Sequence, residues 1–267
     1  MIINQTKRVL VFNPNTSGNL TDNFKPILSS LNLSNTEMTY WTCPTGPPII
    51  KNQADMFESA AYCLPLLLEM ADDFDGFLGA CYADHPIVRL FQSYMVNKPV
   101  VGIFDASIGA ALHFVAGASE ASKFGIITTG VSFEPLLAEG VRQLIRCNGG
   151  VGGARNKQLQ SFGGVVASGI GVNDLGQGLS HGAGGAAREK IMAATTRLVH
   201  SGEVDVVSVG GVILLGMEPW VREACELELG TEKGRQVKII DQLVAGALVL
   251  DAILWRRPSV DFSRALR

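Results

Sequence analysis

Few side chains in this sequence are placed to do chemistry, and Cys81 heads them. It stands in Ala80-Cys81-Tyr82-Ala83-Asp84-His85-Pro86, closing a strand-like run (Asp75–Cys81) ahead of a helix start signalled by Asp84 and Pro86. A thiol near a helix N-terminus is expected to have a lowered pKa, which suits a base or nucleophile. The alternative is a small buried hydrophobe, as most free cysteines are. His85 could titrate near neutral pH and assist Cys81, or serve as a plain helix cap. Asn13-Pro14-Asn15-Thr16-Ser17 ends the first strand-like run. It could aim amides, hydroxyls and backbone N–H groups at a carboxylate or an imide-like oxygen, or be an ordinary turn and cap. Cys63, Cys147 and Cys225 fall in helical patterns and Cys43 in the TCPTGPP turn. His113 and His200 read as structural or exposed, and His181 is uninformative. The sequence has no GxSxG, no HExxH and no metal-spaced carboxylate–His cluster, so serine hydrolase and zinc readings lack support.

These residues are positioned by a regular alternation. Strands are expected at Arg8–Asn13, Glu37–Thr42, Asp75–Cys81, Pro99–Phe104, Phe124–Thr129, Gly163–Ala167, Asp205–Gly211 and Val237–Asp241. Helices are expected at Leu20–Ser30, Asp55–Ala71, Ile87–Met95, Ile108–Ala116, Glu134–Arg146, Ala187–His200, Pro219–Leu229 and Leu243–Trp255. Near-continuous apolar strands separated by helices indicate parallel sheets covered on both faces.

The two halves also resemble each other, in the same order. Lys7–Asn13 lies over Ser122–Thr128, Phe74–Cys81 over Val204–Gly211, and Val100–Leu112 over Val237–Val249. The expectation is an α/β protein of two pseudo-symmetric lobes, each a mainly parallel sheet flanked by helices, with the active site in the cleft between. Residues 1–104 with 219–267 would form the first lobe and 105–218 the second. Ligands of open parallel sheets bind beyond the carboxyl ends of the strands. Asn13, Cys81, Thr128 and Gly211 would then surround one cleft. The glycine-rich stretch Asn148–Gly185 lacks a P-loop or a dinucleotide fingerprint, and reads as a mobile loop or cleft lid rather than a phosphate cradle.

Composition bounds the rest. The 267 residues are 47% hydrophobic and 18% charged with a net charge of −3, which excludes a disordered chain. The mild acidity argues against nucleic-acid binding. No apolar run reaches the roughly 18–20 residues of a membrane span, and the N-terminus lacks signal-peptide features. Five scattered cysteines without CxxC point to a reducing cytosol, hence a cytoplasmic protein. Trp220 and Trp255 could form an interface or fill a lobe.

At the quoted motifs the chain resembles the Asp/Glu/hydantoin racemase superfamily, and within it the hydantoin and allantoin racemases with their fungal relatives. VLVFNPNTSGNLT is similar to that family's N-terminal signature and TGPPII (Thr45–Ile50) to its second-strand loop. FDGFLGACYADHP resembles the segment holding its first catalytic cysteine, FGIITTG its central strand, and DVVSVGG with GMEPWVREA the segment holding its second. The resemblance implies cofactor-free chemistry on a small-molecule substrate, no metal, and a homo-oligomer. One thiolate removes an α-proton and a thiol on the opposite face returns one. The implied anion-holding positions are Asn15, Thr16, Ser17, Tyr82, Ala83, Thr128, Thr129 and Val212. Asn13, Pro48, Gly211 and Ile213 complete the expected binding set, with Cys81 and His85 as catalytic candidates.

One departure bears on the chemistry. Gly211 stands where the resemblance sets the second cysteine, in Gly210-Gly211-Val212-Ile213-Leu214-Leu215-Gly216-Met217-Glu218, and glycine has no proton to exchange. No Asp, His or Lys nearby replaces it, and Glu218 would have to reach back. Ala83 removes a hydroxyl that relatives often carry there. Three readings follow. One is an isomerase using Cys81 on an activated C–H of a small amide, carboxylate or cyclic imide. The second is a one-cysteine lyase, decarboxylase, cis–trans isomerase or cyclisation catalyst on a larger, more hydrophobic substrate, as the superfamily's arylmalonate decarboxylases and maleate isomerases imply. The third is a binding protein that has lost the catalytic pair.

Overall fold

The computed structural model describes residues 6–119, 121–148, 153–171, 174 and 185–255. His181 and much of the glycine-rich stretch lie outside the described residues. The strands are β1 (Lys7–Asn13), β2 (Thr36–Thr42), β3 (Gly76–Gly79), β4 (Val100–Gly102), β5 (Lys123–Thr128), β6 (Phe162–Ala167), β7 (Val204–Val209) and β8 (Lys238–Asp241). The helices are α1 (Gly18–Asp22), α2 (Phe24–Ser30), α3 (Gln53–Glu69), α4 (Pro86–Tyr94), α5 (Ile103–Ala116), α6 (Phe133–Asn148), α7 (Gly153–Gln160), α8 (Gly185–Val199), α9 (Glu218–Leu229), α10 (Thr231–Gln236) and α11 (Gln242–Leu254).

The strands form two parallel four-stranded sheets, ordered β2-β1-β3-β4 and β6-β5-β7-β8. Each strand of the first half has its counterpart at the same place in the second, so the sequence repeat is also a topological one. In this order the chain reverses direction across the sheet between β1 and β3, and again between β5 and β7. A crevice opens at such a switch point, beyond the carboxyl ends of the strands. The register sets Phe12 beside Gly79 and Ile127 beside Val209, so the loops that follow leave the sheets side by side.

The lobes exchange their last helices. α5 follows β4 yet packs on β7 and β8, while α11 follows β8 yet packs on β3 and β4; the two helices also pack on each other. A core of Val9, Leu78, Ile103, Phe104, Phe124, Val206 and Leu243 therefore runs through both halves. This redraws the expected boundary at residue 219. β8 belongs to the second sheet and α9 packs on α8, so within 219–267 it is α11 that returns to the first sheet.

Local chemistry accounts for the other departures. The expected helix over Leu20–Ser30 breaks at Asn23 into α1 and α2. The Pro26 ring has no N–H and would collide with the carbonyl of Asp22 if one helix ran through. β3 stops at Gly79, which leaves Cys81 in the following loop. α7 buries no residue and so carries no apolar period to read. α10 sits tightly on α9, where a Cβ on Gly234 would lie 2.4 Å from the Glu226 Cα. Trp220 and Trp255 are half-buried, and the Trp255 indole donates to Thr36 Oγ1 at 3.3 Å. Trp220 also packs against the core of the second sheet. Among the described residues, no helix is long and apolar enough to cross a membrane.

Candidate active site

The loop after β1 is built around Asn13, whose side chain is buried. Asn13 Nδ2 reaches Asn15 Oδ1 at 3.0 Å, the Ser17 carbonyl at 3.1 Å and Thr21 Oγ1 at 3.1 Å. Asn15 Oδ1 also accepts from the Ser17 N–H at 2.9 Å, and the Thr16 N–H donates to the Pro47 carbonyl at 3.2 Å. Asn13 thus fixes the loop from within, and Asn15 is the member that lines the cavity. Thr16, Ser17 and Pro48 do not line it. The residues just after Pro48 do: Ile49, Ile50 and Lys51.

Cys81 follows β3, where the Ala80 N–H donates to the Phe12 carbonyl at 2.9 Å. It is partly buried and lines the cavity. Burial pushes its thiol up to about 12, because a thiolate loses more hydration than a thiol. The lowered pKa expected beside a helix N-terminus is not found. α4 begins at Pro86, too far along the chain for its dipole to offset burial.

His85 explains that spacing. Its Nδ1 accepts from the Ile87 N–H at 3.2 Å as the N-cap of α4. The ring is 2% exposed, and burial holds it down at about 3, so it is neutral. His85 does not line the cavity, and the cap alternative describes it.

Tyr82 and Ala83 both line the cavity, and Tyr82 also ties the lobes together. Its hydroxyl bonds Ser208 Oγ on β7 at 2.8 Å, and its ring meets Phe104 edge-on at 5.3 Å. The ring lies against Gly210, where a Cβ would fall 2.0 Å from Tyr82 Cε1. A side chain at position 210 would evict it.

The opposite wall comes from the ends of β5 and β7. Thr128 and Thr129 are held by their carbonyls, which accept from the Ser168 and Gly169 N–H groups at 2.7 Å each. Gly211 has φ 122, in the region that favours glycine, and leads into a 3-10 turn over Val212–Leu214. Cys81 and Gly211 line one cavity of about 310 Å³, with Thr128, Thr129, Val212 and Ile213 among its walls. Leu20, Ala80, Gly130, Ser132, Phe133, Leu136 and Ile170 complete the lining. These residues, with Ile49, Ile50 and Lys51, were missed from sequence. The apolar TGPPII run ahead of Lys51 was the available signal for three of them.

Glu218 does not reach this cavity. It faces Asp241 in a neighbouring cleft of about 360 Å³ that shares Val212 as a wall. Burial holds both carboxyls above the ordinary range; repulsion by Asp241 adds to the rise at Glu218, whereas at Asp241 the Val244 and Leu243 N–H groups and a hydrogen bond with Glu218 oppose it. Among the described residues, no cluster of three or more His, Cys, Asp or Glu could hold a metal ion.

The profile of the Asp/Glu/Hydantoin racemase family matches residues 9–249. This chain belongs to that family. It is also 36% identical over 139 residues to an uncharacterised protein of Schizosaccharomyces pombe, a match spanning 51% of this chain. The matched part spans 55% of that relative's length. The fold is similar to that of an allantoin racemase from Pseudomonas fluorescens, with TM-score 0.71 and 19% identity over 92% of this chain and 90% of that one. An allantoin racemase from Klebsiella pneumoniae is similar too, with TM-score 0.68 and 20% identity over 93% of this chain and 87% of the other. For this racemase-family chain, the cavity where the two sheets present their strand ends is the candidate active site.

Proposed function

We propose that this protein is a cofactor-independent isomerase in which Cys81 exchanges a proton with an activated C–H of a small amide, carboxylate or cyclic imide. The observation that carries this reading is that Cys81 lines the inter-lobe cavity and no second cysteine lines it among the described residues. Thr128, Thr129, Gly211 and Val212, from the ends of the other sheet's strands, share that cavity, and their side chains hold no group that ionises near neutral pH. Two-thiol racemisation therefore has no second partner. Proton exchange proceeds from the Cys81 face, and any return from the other face comes from water or from the substrate.

A one-cysteine lyase or decarboxylase is the second reading, favoured by the protonation state of Cys81. A thiol pushed up to about 12 is ready to donate a proton to a carbanion, whereas a base must first ionise. Incubating candidate substrates in D2O separates the two. The isomerase exchanges the α-hydrogen of intact substrate, and the lyase releases a product labelled at the new C–H. Cys81→Ala should lower either rate by about a hundredfold or more. Unchanged turnover in that variant would remove Cys81 from the chemistry.

A further inference from the structure

The polar groups of the cavity are unbalanced in charge. Lys51 is its one charged lining residue among those described, and no carboxylate lines it there. The Lys51 side chain is in none of the ion pairs among the described residues. Asn15 adds to the bias, because its Oδ1 already accepts from Asn13 Nδ2 and the Ser17 N–H, leaving its Nδ2 donors as the free end. Thr128, Thr129 and Ser132 supply hydroxyls, which adapt to either role. Ile49, Ile50, Phe133, Leu136, Ile170 and Ile213 make much of the remaining surface apolar.

Lys51 is exposed and stands at the cavity's edge, so a ligand ammonium would meet a cation there and, among the described residues, no carboxylate, which disfavours it wherever binding removes its water. A second negative charge would likewise lack a cation. We infer that the ligand is a monoanion without a free ammonium, bearing an apolar substituent, and that Lys51 selects it by meeting its charge. The volume of about 310 Å³ suits such a molecule. This rests on the reading that the inter-lobe cavity is the ligand site, and it excludes free α-amino acids as preferred ligands.

The test uses three matched probes on the full-length Cys81→Ser and Cys81→Ala proteins, so that no turnover intrudes. N-carbamoyl-leucine is a monoanion, leucine a zwitterion and N-carbamoyl-leucinamide neutral. Isothermal titration is expected to show the monoanion binding at least about tenfold more tightly than leucine. Lys51→Met should weaken the monoanion about tenfold and flatten its salt dependence, leaving the neutral amide unmoved. Leucine binding as tightly as its carbamoyl derivative would overturn the inference. So would Lys51→Met weakening the charged and neutral probes alike. Failure of all three probes to bind would overturn it together with the cavity as ligand site. The expected charge order, with no deuterium exchange by the wild type, would sink the proposed chemistry and leave the ligand class standing.

Discussion

Thiolate is the reactive form of cysteine, so the burial of Cys81 sets how fast it meets any electrophile. With its thiol pushed up to about 12, the thiolate fraction grows about tenfold per pH unit through pH 10 and beyond. Iodoacetamide labelling, in a Cys147→Ser background to remove the exposed thiol, should show this slope at Cys81 without a plateau below about pH 11. A plateau near pH 8–9 would mean that the sulfur is hydrated. Across the cavity, Gly211 is held at φ 122, and a Cβ there would lie 3.1 Å from Thr129 Cγ2. Gly211→Cys therefore does more than add a thiol: it should destabilise the fold by about 1–3 kcal/mol. Thermal melts would register this as a loss of roughly 2–4 °C per kcal/mol. Adding Thr129→Ser should recover the contact part of that loss but not the backbone part.

Among the elements, the loop between β3 and α4 carries the thiol, and its neighbour Tyr82 is held by the other lobe. Tyr82→Phe keeps the ring on Gly210 but leaves the fully buried Ser208 hydroxyl without this partner. The expected cost is about 1–2 kcal/mol. Ser208→Ala with Tyr82→Phe should cost less than the two single changes together, since both remove one bond. The Tyr82→Phe protein should also label faster at Cys81, because the loop loses its tie to β7. Equal labelling rates would show that the bond steadies the lobes without setting the thiol's exposure.

For the molecule as a whole, pH acts through buried groups of opposite sign. Glu218 and Asp241 bind protons more tightly folded than unfolded, so stability falls as pH rises from near 4.5 toward neutrality. His85 is the reverse case. Its folded pKa of about 3 lies below the ordinary 6.5, so its contribution holds above 6.5 and is lost as pH falls toward 3. Glu218→Gln should melt higher than the wild type at pH 8, with the gap closing as pH drops to 4.5. A gap that stays constant across this range would show that the Glu218 carboxyl keeps its water in the fold. His85→Asn retains a good N-cap and should shrink the loss of stability in acid.

Sequence alone determined the eight strands, their repeated order and three of the four strand ends expected at the cleft. Each of these rests on apolar runs and on where such a run stops, and both are local properties. Cys81, Thr128 and Gly211 were legible because a parallel sheet must deliver its carboxyl ends to one edge, whatever the loops do. Tertiary structure decided which loop atoms face that edge. Asn13 turned inward to bind its own loop, Pro48 stood aside for Lys51, and His85 was spent on a cap. Sequence spacing could not show the exchange of α5 and α11 or the reach of Tyr82 to Ser208, because these contacts join residues far apart in the chain. The same distant packing desolvates Cys81, which is why its protonation state belongs to the fold and not to the motif.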